Sequence, residues 1–201
     1  MNNNLNLHPH VWLPLEGASR TVVALHGTGG DEHDLVPLVR QLYPEVNILG
    51  IRGNVREGAS NRFFRRFAEG MFDMEDLKVQ SADLLAFWDA AKAEYGLVDA
   101  QTTWFGYSNG ANMIAALLLQ GEVVRDAVLL RAMDVGLKPL GKGDATVLML
   151  NGEYDPIVPV ASAAAVRDSL LEKGYEVTAT QLPTGHQLSH MDFDILMNGA
   201  K

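Results

Sequence analysis

Ser108 stands at the centre of Gly106-Tyr107-Ser108-Asn109-Gly110, with TTWFGY (102–107) before it and NGANMIAALLLQ (109–120) after it. Glycines two residues to either side of a serine, between a strand-like and a helix-like run, have the spacing of a nucleophile raised on a sharp turn. The plainer alternative is a glycine-rich strand-to-helix connection. A hydroxyl is a weak nucleophile alone. It needs a base to take its proton, an acid to orient that base, and donors for the oxyanion its attack creates. The bases on offer are His8, His10, His26, His33, His186 and His190. Two aspartates close apolar runs: Asp134 in LLRAMDVG and Asp155 in NGEYDPIVP. LHGTGGDEHD (25–34) is a glycine-rich backbone able to aim an N–H at an oxyanion.

The runs between these groups must position them. TVVALHG (21–27), VNILGIRG (46–53), TTWFGYS (102–108), DAVLLRAM (126–133), ATVLMLNG (145–152) and YEVTATQLP (175–183) read as strands. Residues 31–43, 74–96, 109–121, 160–174 and 186–199 read as helices, the second stopping at Gly96. Residues 54–73, with the aromatic-basic knot NRFFRRF (61–67), read as polar and irregular. Strands that are apolar throughout belong to a parallel sheet covered on both faces, and repeated βα units imply a doubly wound α/β fold. In such sheets functional groups gather beyond the carboxyl ends of the strands, which is where Ser108, Asp134, Asp155, His186 and residues 26–30 fall.

α/β-Hydrolases, which use this type of turn, order their partners serine, acid, histidine along the chain. That order leaves His186 and His190. His186 follows a strand and opens a helix, where a loop can carry it across the sheet edge; His190, one turn on, reads as a solvated helix residue. Asp155 is the favoured acid, because Gly152, Pro156 and Pro159 fix the loop that carries it. Asp134 remains a rival, since some members of the fold place the acid there. The oxyanion donors are expected to be the backbone N–H groups of Thr28 and Asn109, with His26 pinning the glycine-rich loop.

Bulk properties narrow the classes. At 201 residues the chain is expected to form one domain, with 1–19 as an N-terminal arm or edge strand. Net charge of −9 disfavours a phosphate backbone as partner. The absence of cysteine excludes disulfides, thiol catalysis and cysteine-bound zinc. No run approaches the roughly 20 apolar residues of a membrane span, and no signal peptide is evident, so a cytoplasmic protein is expected. GLKPLGKG (136–143) falls short of a phosphate loop, because Gly143 stands where serine or threonine would hold magnesium. GTGG lacks the third glycine of a dinucleotide fingerprint, and there is no His-Glu-x-x-His helix.

With these residues in view, LHGTGGDE, GYSNGAN, NGEYDPIVP and GHQLS resemble, in order and spacing, the carboxylesterase/phospholipase family of α/β-hydrolases, which includes acyl-protein thioesterases and lysophospholipases. RGNVREG…RFFRRFAEGMFDMEDL resembles its small bacterial carboxylesterase branch. The likeness spans about residues 20 to 196. It implies Ser108, Asp155 and His186 as triad, Thr28 and Asn109 as oxyanion hole, no large lid domain, no cofactor and no metal. One departure is RAMDVG, where many relatives carry a proline-containing loop; it keeps Asp134 open as a pocket residue or alternative acid. The resemblance also leaves a homodimer open.

The function expected is therefore hydrolysis of carboxylic esters of small or medium acyl chain, with a small-molecule ester as partner. A thioesterase or lysophospholipase with the same triad is the neighbouring alternative. A non-catalytic binding protein on the same fold is the alternative of another class. Residues 54–73 are expected to cover the site as a pocket loop, with Phe63 and Phe64 lining it.

Overall fold

The computed structural model describes residues 3–121 and 123–199. Short runs rich in Val, Ile and Leu form the strands, and longer runs form the helices. In chain order these are β1 His10–Leu13, β2 Thr21–Leu25, α1 Val36–Leu42, β3 Asn47–Ile51, β4 Val55–Glu57, β5 Ser60–Arg62, β6 Arg66–Ala68, β7 Met71–Phe72, α2 Met74–Tyr95, β8 Thr102–Tyr107, α3 Asn109–Gln120, β9 Asp126–Leu130, β10 Thr146–Gly152, α4 Val160–Lys173, β11 Glu176–Leu182 and α5 His190–Gly199.

Seven strands form one sheet in the order β1-β3-β2-β8-β9-β10-β11. All neighbours are parallel except β1, which pairs antiparallel with β3 at one edge. Every residue of β2 is buried, and its alternate side chains serve different cores. Val23 and Leu25 join Trp104, Leu129 and Met149 beneath α2, α3 and α4; Val22 and Ala24 join Phe105, Val128 and Leu150 beneath α1 and α5. Burial on both faces explains why these strands show no polar alternation. β11, at the other edge, is the exception, with only Leu182 buried.

Three boundaries differ from the sequence expectation. The helix expected over 31–43 starts only at Val36. Pro37 sits in its first turn, where a missing N–H costs nothing, whereas a start at 31 would place it in the interior. The last helix starts at His190 rather than 186: the backbone N–H and hydroxyl of Ser189 both donate to Asp192, closing the helix entry there and leaving 183–189 as loop. Residues 54–73 are not irregular. They fold as two antiparallel hairpins, β4–β5 and β6–β7, turning at Gly58 and Gly70 with positive φ of 59° and 72°. Asp73 then caps α2 by accepting from the N–H of Asp76. Among the described residues no helix is long and apolar enough to cross a membrane.

Candidate active site

Ser108 joins β8 to α3 at φ 52°, ψ −113°, a left-handed backbone that a non-glycine residue adopts only under constraint. The constraint is visible on both sides. Its N–H donates to the Leu130 carbonyl at 2.8 Å, and its carbonyl accepts from Asn112 at 2.9 Å. The flanking glycines are dictated by approach. A Cβ on Gly106 would lie 2.7 Å from the Ala111 nitrogen, and one on Gly110 would lie 2.1 Å from the Leu25 carbonyl oxygen. α3 can therefore seat against β2 only with glycine there.

The loop after β11 brings His186 to this turn. Its Nε2 lies 3.0 Å from Ser108 Oγ and its Nδ1 2.8 Å from Asp155 Oδ2. Asp155 sits on the loop after β10 with its carboxylate fully buried. Its other oxygen accepts from the N–H groups of Ile157 and Val158, at 2.8 and 3.0 Å. With one carboxylate oxygen committed to backbone donors, the other is left for the imidazole. Nδ1 then carries the proton and Nε2 is free to accept from the serine. His190, one helical turn on, is exposed. Asp134 accepts from the Gly136 N–H and turns its own N–H to Ser162 Oγ; it holds a turn outside the cavity wall.

Thr28 and Asn109 both line the cavity beside Ser108, and neither backbone N–H has an acceptor among the described residues. The glycine-rich loop is held by His26. Its Nδ1 donates to the Gly27 carbonyl at 2.6 Å and its Nε2 accepts from the Gly53 N–H at 3.0 Å. Burial lowers its pKa, in keeping with a neutral ring that donates from one nitrogen and accepts at the other.

The cavity at this turn measures about 330 Å³. Phe63 and Phe64, expected to line it, are instead fully buried in the main core. The two phenylalanines occupy the bend between β5 and β6 and both face inward, while Arg62, Arg66, Glu69 and Phe72 reach the cavity.

Among family models, none matches the chain. A protein of Bacillus subtilis (strain 168) named "Putative hydrolase MhqD" is 34% identical over 175 residues, covering 86% of this chain and 88% of its own. The Bacillus cereus carboxylesterase structure is 34% identical with a TM-score of 0.88, covering 98% of this chain and 96% of its own. A carboxylesterase from Mesorhizobium loti is 30% identical with a TM-score of 0.89, covering 96% and 94%. The chain belongs to the carboxylesterase/phospholipase family of α/β-hydrolases. It is a carboxylesterase-type hydrolase.

One part of this hydrolase site escaped sequence reasoning. Arg131, at the end of β9, is wholly buried with φ 59°. Its guanidinium meets both carboxylate oxygens of the equally buried Asp192, at 2.7 and 2.8 Å. It also donates to the carbonyls of Gly185 and Gln187, the residues on either side of His186, at 3.0 and 3.1 Å. Tyr107 donates to the carbonyl of His186 itself at 3.1 Å. Three successive carbonyls of the histidine loop are thus fastened to β8 and β9. Burial by itself would raise the Asp192 pKa, but hydrogen bonds from Arg131 and Ser189 outweigh it and hold the carboxyl below its ordinary 3.8. The available signal was a lone charge, Arg131, inside the apolar run AVLLRAM.

Proposed function

We propose that this esterase works through an acyl-enzyme on Ser108, with His186 as base and then acid, and Asp155 as orienting carboxylate. The observation that carries the reading is the unbroken hydrogen-bonded chain Asp155–His186–Ser108 at the cavity, beyond the carboxyl ends of β8, β10 and β11. As Oγ bonds to the ester carbonyl carbon, Nε2 takes its proton. The carbonyl π pair moves onto oxygen, where the N–H groups of Thr28 and Asn109 receive it. The tetrahedral intermediate collapses, the alkoxy bond breaks, and His186 protonates the departing alcohol. Water then adds by the same route and releases the acid. Asp155 holds the imidazole in the needed tautomer and stabilises its cationic form without taking the proton.

Esters of small or medium acyl chain fit a cavity of this size best. Residues 1–201 act as one domain in this reading, with 54–73 as the segment that walls the cavity. The experiment is intact mass after a fluorophosphonate probe, with the parent beside Ser108→Ala, followed by hydrolysis of 4-nitrophenyl butyrate and of an acyl-CoA thioester. A single adduct on the parent alone, with a fall of about 10⁶ in kcat for the variant, is the expected result. An adduct on both proteins, or on neither, would overturn it. Thioester turnover well above ester turnover would move the substrate class.

A further inference from the structure

The cavity wall carries more donors than acceptors. Arg62, only 2% exposed, uses Nε on the Phe64 carbonyl and on Glu57, and Nη1 on Thr28 Oγ1 at 2.6 Å. Arg66 uses Nε on both oxygens of Glu57, and Nη1 on Glu69. Neither Nη2 has an acceptor among the described residues. Asn112 accepts the Met133 N–H at 2.8 Å through Oδ1, and Asn109 accepts the Phe63 N–H at 2.7 Å in the same way. Backbone donors therefore fix both amide orientations and leave both amino groups as the unused ends. Asn109 Nδ2 is buried without a partner. All four residues line the cavity, and Glu69, the one lining carboxylate among the described residues, is already engaged by Arg66.

Unused donors beside a reactive serine call for a ligand rich in acceptors, because a buried donor left unpaired costs free energy. Two neighbouring guanidiniums add a charge argument. Burial, then the charge of Arg66, lowers the Arg62 pKa, with Glu57 and Glu69 acting the other way. Guanidinium forks match carboxylates in geometry. A long alkyl chain would leave every one of these donors dry.

We propose that the cavity selects esters bearing a carboxylate on their acyl or alcohol part, bound by Arg62 Nη2, Arg66 Nη2 and Asn112 Nδ2. This rests on the acyl-enzyme reading above. The carboxylate could sit on the acid side or the alcohol side of the ester, so the test has two arms. One compares the 4-nitrophenyl half-ester of adipic acid with its methyl-capped analogue. The other compares 4-butyryloxybenzoate with its methyl ester. Each ratio of kcat/KM, anion over neutral, is measured at low ionic strength for the parent and for Arg66→Gln, Arg62→Gln and Asn112→Leu. Ratios within one protein cancel any loss of folded or reactive enzyme.

In at least one arm the parent is expected to favour the anion about tenfold or more, chiefly through KM, the scale of one charge-assisted hydrogen bond. The arginine variants are expected to lose most of that preference. The arm that responds identifies the carboxylate's side. A neutral ester preferred in both arms, or a preference that survives both arginine substitutions, would overturn the proposal while leaving the acyl-enzyme reading standing. Turnover of no ester, together with no fluorophosphonate adduct on Ser108, would overturn that reading and the proposal with it.

Discussion

Replacing Arg131 by methionine separates what its charge does for stability from what its donors do for catalysis. The side chain and its partner Asp192 are both at 0% exposure, joined through two oxygens at 2.7 and 2.8 Å. Removing one member of a buried pair leaves the other charged and dry, which costs about 3–5 kcal/mol. For a chain of this length that is about 6–20 °C in Tm, at about 2–4 °C per kcal/mol. The same substitution strips the donor from the carbonyls of Gly185 and Gln187, which bracket His186. The double variant Arg131→Met/Asp192→Leu no longer holds an unpaired charge, so it is expected to regain most of the lost stability. It does not restore the donors, so kcat is expected to stay depressed at least tenfold, with KM little changed. Urea unfolding followed by circular dichroism gives the first quantity and steady-state hydrolysis of 4-nitrophenyl butyrate the second. A double variant no more stable than Arg131→Met would refute the unpaired-charge account. A folded double variant with kcat within twofold of the parent would show that the histidine loop does not depend on Arg131.

Asp155→Asn is expected to lower kcat by about 10⁴, the scale for forcing the wrong tautomer on such a histidine, whereas Asp134→Asn changes it by less than threefold; steady-state kinetics on the pair decides between the two acids. Gly110→Ala is expected to yield little soluble protein, since its Cβ would meet the Leu25 carbonyl oxygen at 2.1 Å, with Leu25 held in β2 and Gly110 in the first turn of α3; thermal melts and fluorophosphonate labelling of whatever folds provide the check. Stability is expected to fall with pH from about 6.5 downward, because burial lowers the pKa of His8 and of His26, so that the unfolded chain binds protons that the folded one refuses. That loss is complete once pH is below the folded values, and His8→Gln should flatten part of the slope in urea melts at pH 7, 6 and 5; an unchanged slope would remove His8 from the account.

What the chain declares about itself follows a physical division. Local pattern suffices where one segment decides its own fate. The buried strands, the stop of α2 at Gly96, where the C-cap has φ 69°, and the turn around Ser108 are of this kind. The meeting of Asp155 and His186 was legible because chain order and strand ends leave little choice. Pattern fails where two distant segments share one decision. Arg131 and Asp192 are 61 positions apart, and nothing local to either says that each neutralises the other. The 61–67 stretch fails for a subtler reason. NRFFRRF offers both aromatic and basic side chains to the site, and only the bend at Phe63 and Phe64, between β5 and β6, decides which set faces the cavity. With Phe63 and Phe64 spent on the core, this stretch gives the cavity guanidiniums in their place, and a wall expected to suit acyl chains gains a row of donors beside Phe72. The same segment binds Arg62 to Thr28 and the Phe63 N–H to Asn109, the two residues proposed above as oxyanion donors. Substrate wall and oxyanion loop are thus one hydrogen-bonded unit. A substitution at Arg62 should therefore register in kcat as well as in KM, whereas one at Arg66, which touches neither loop, should register in KM alone.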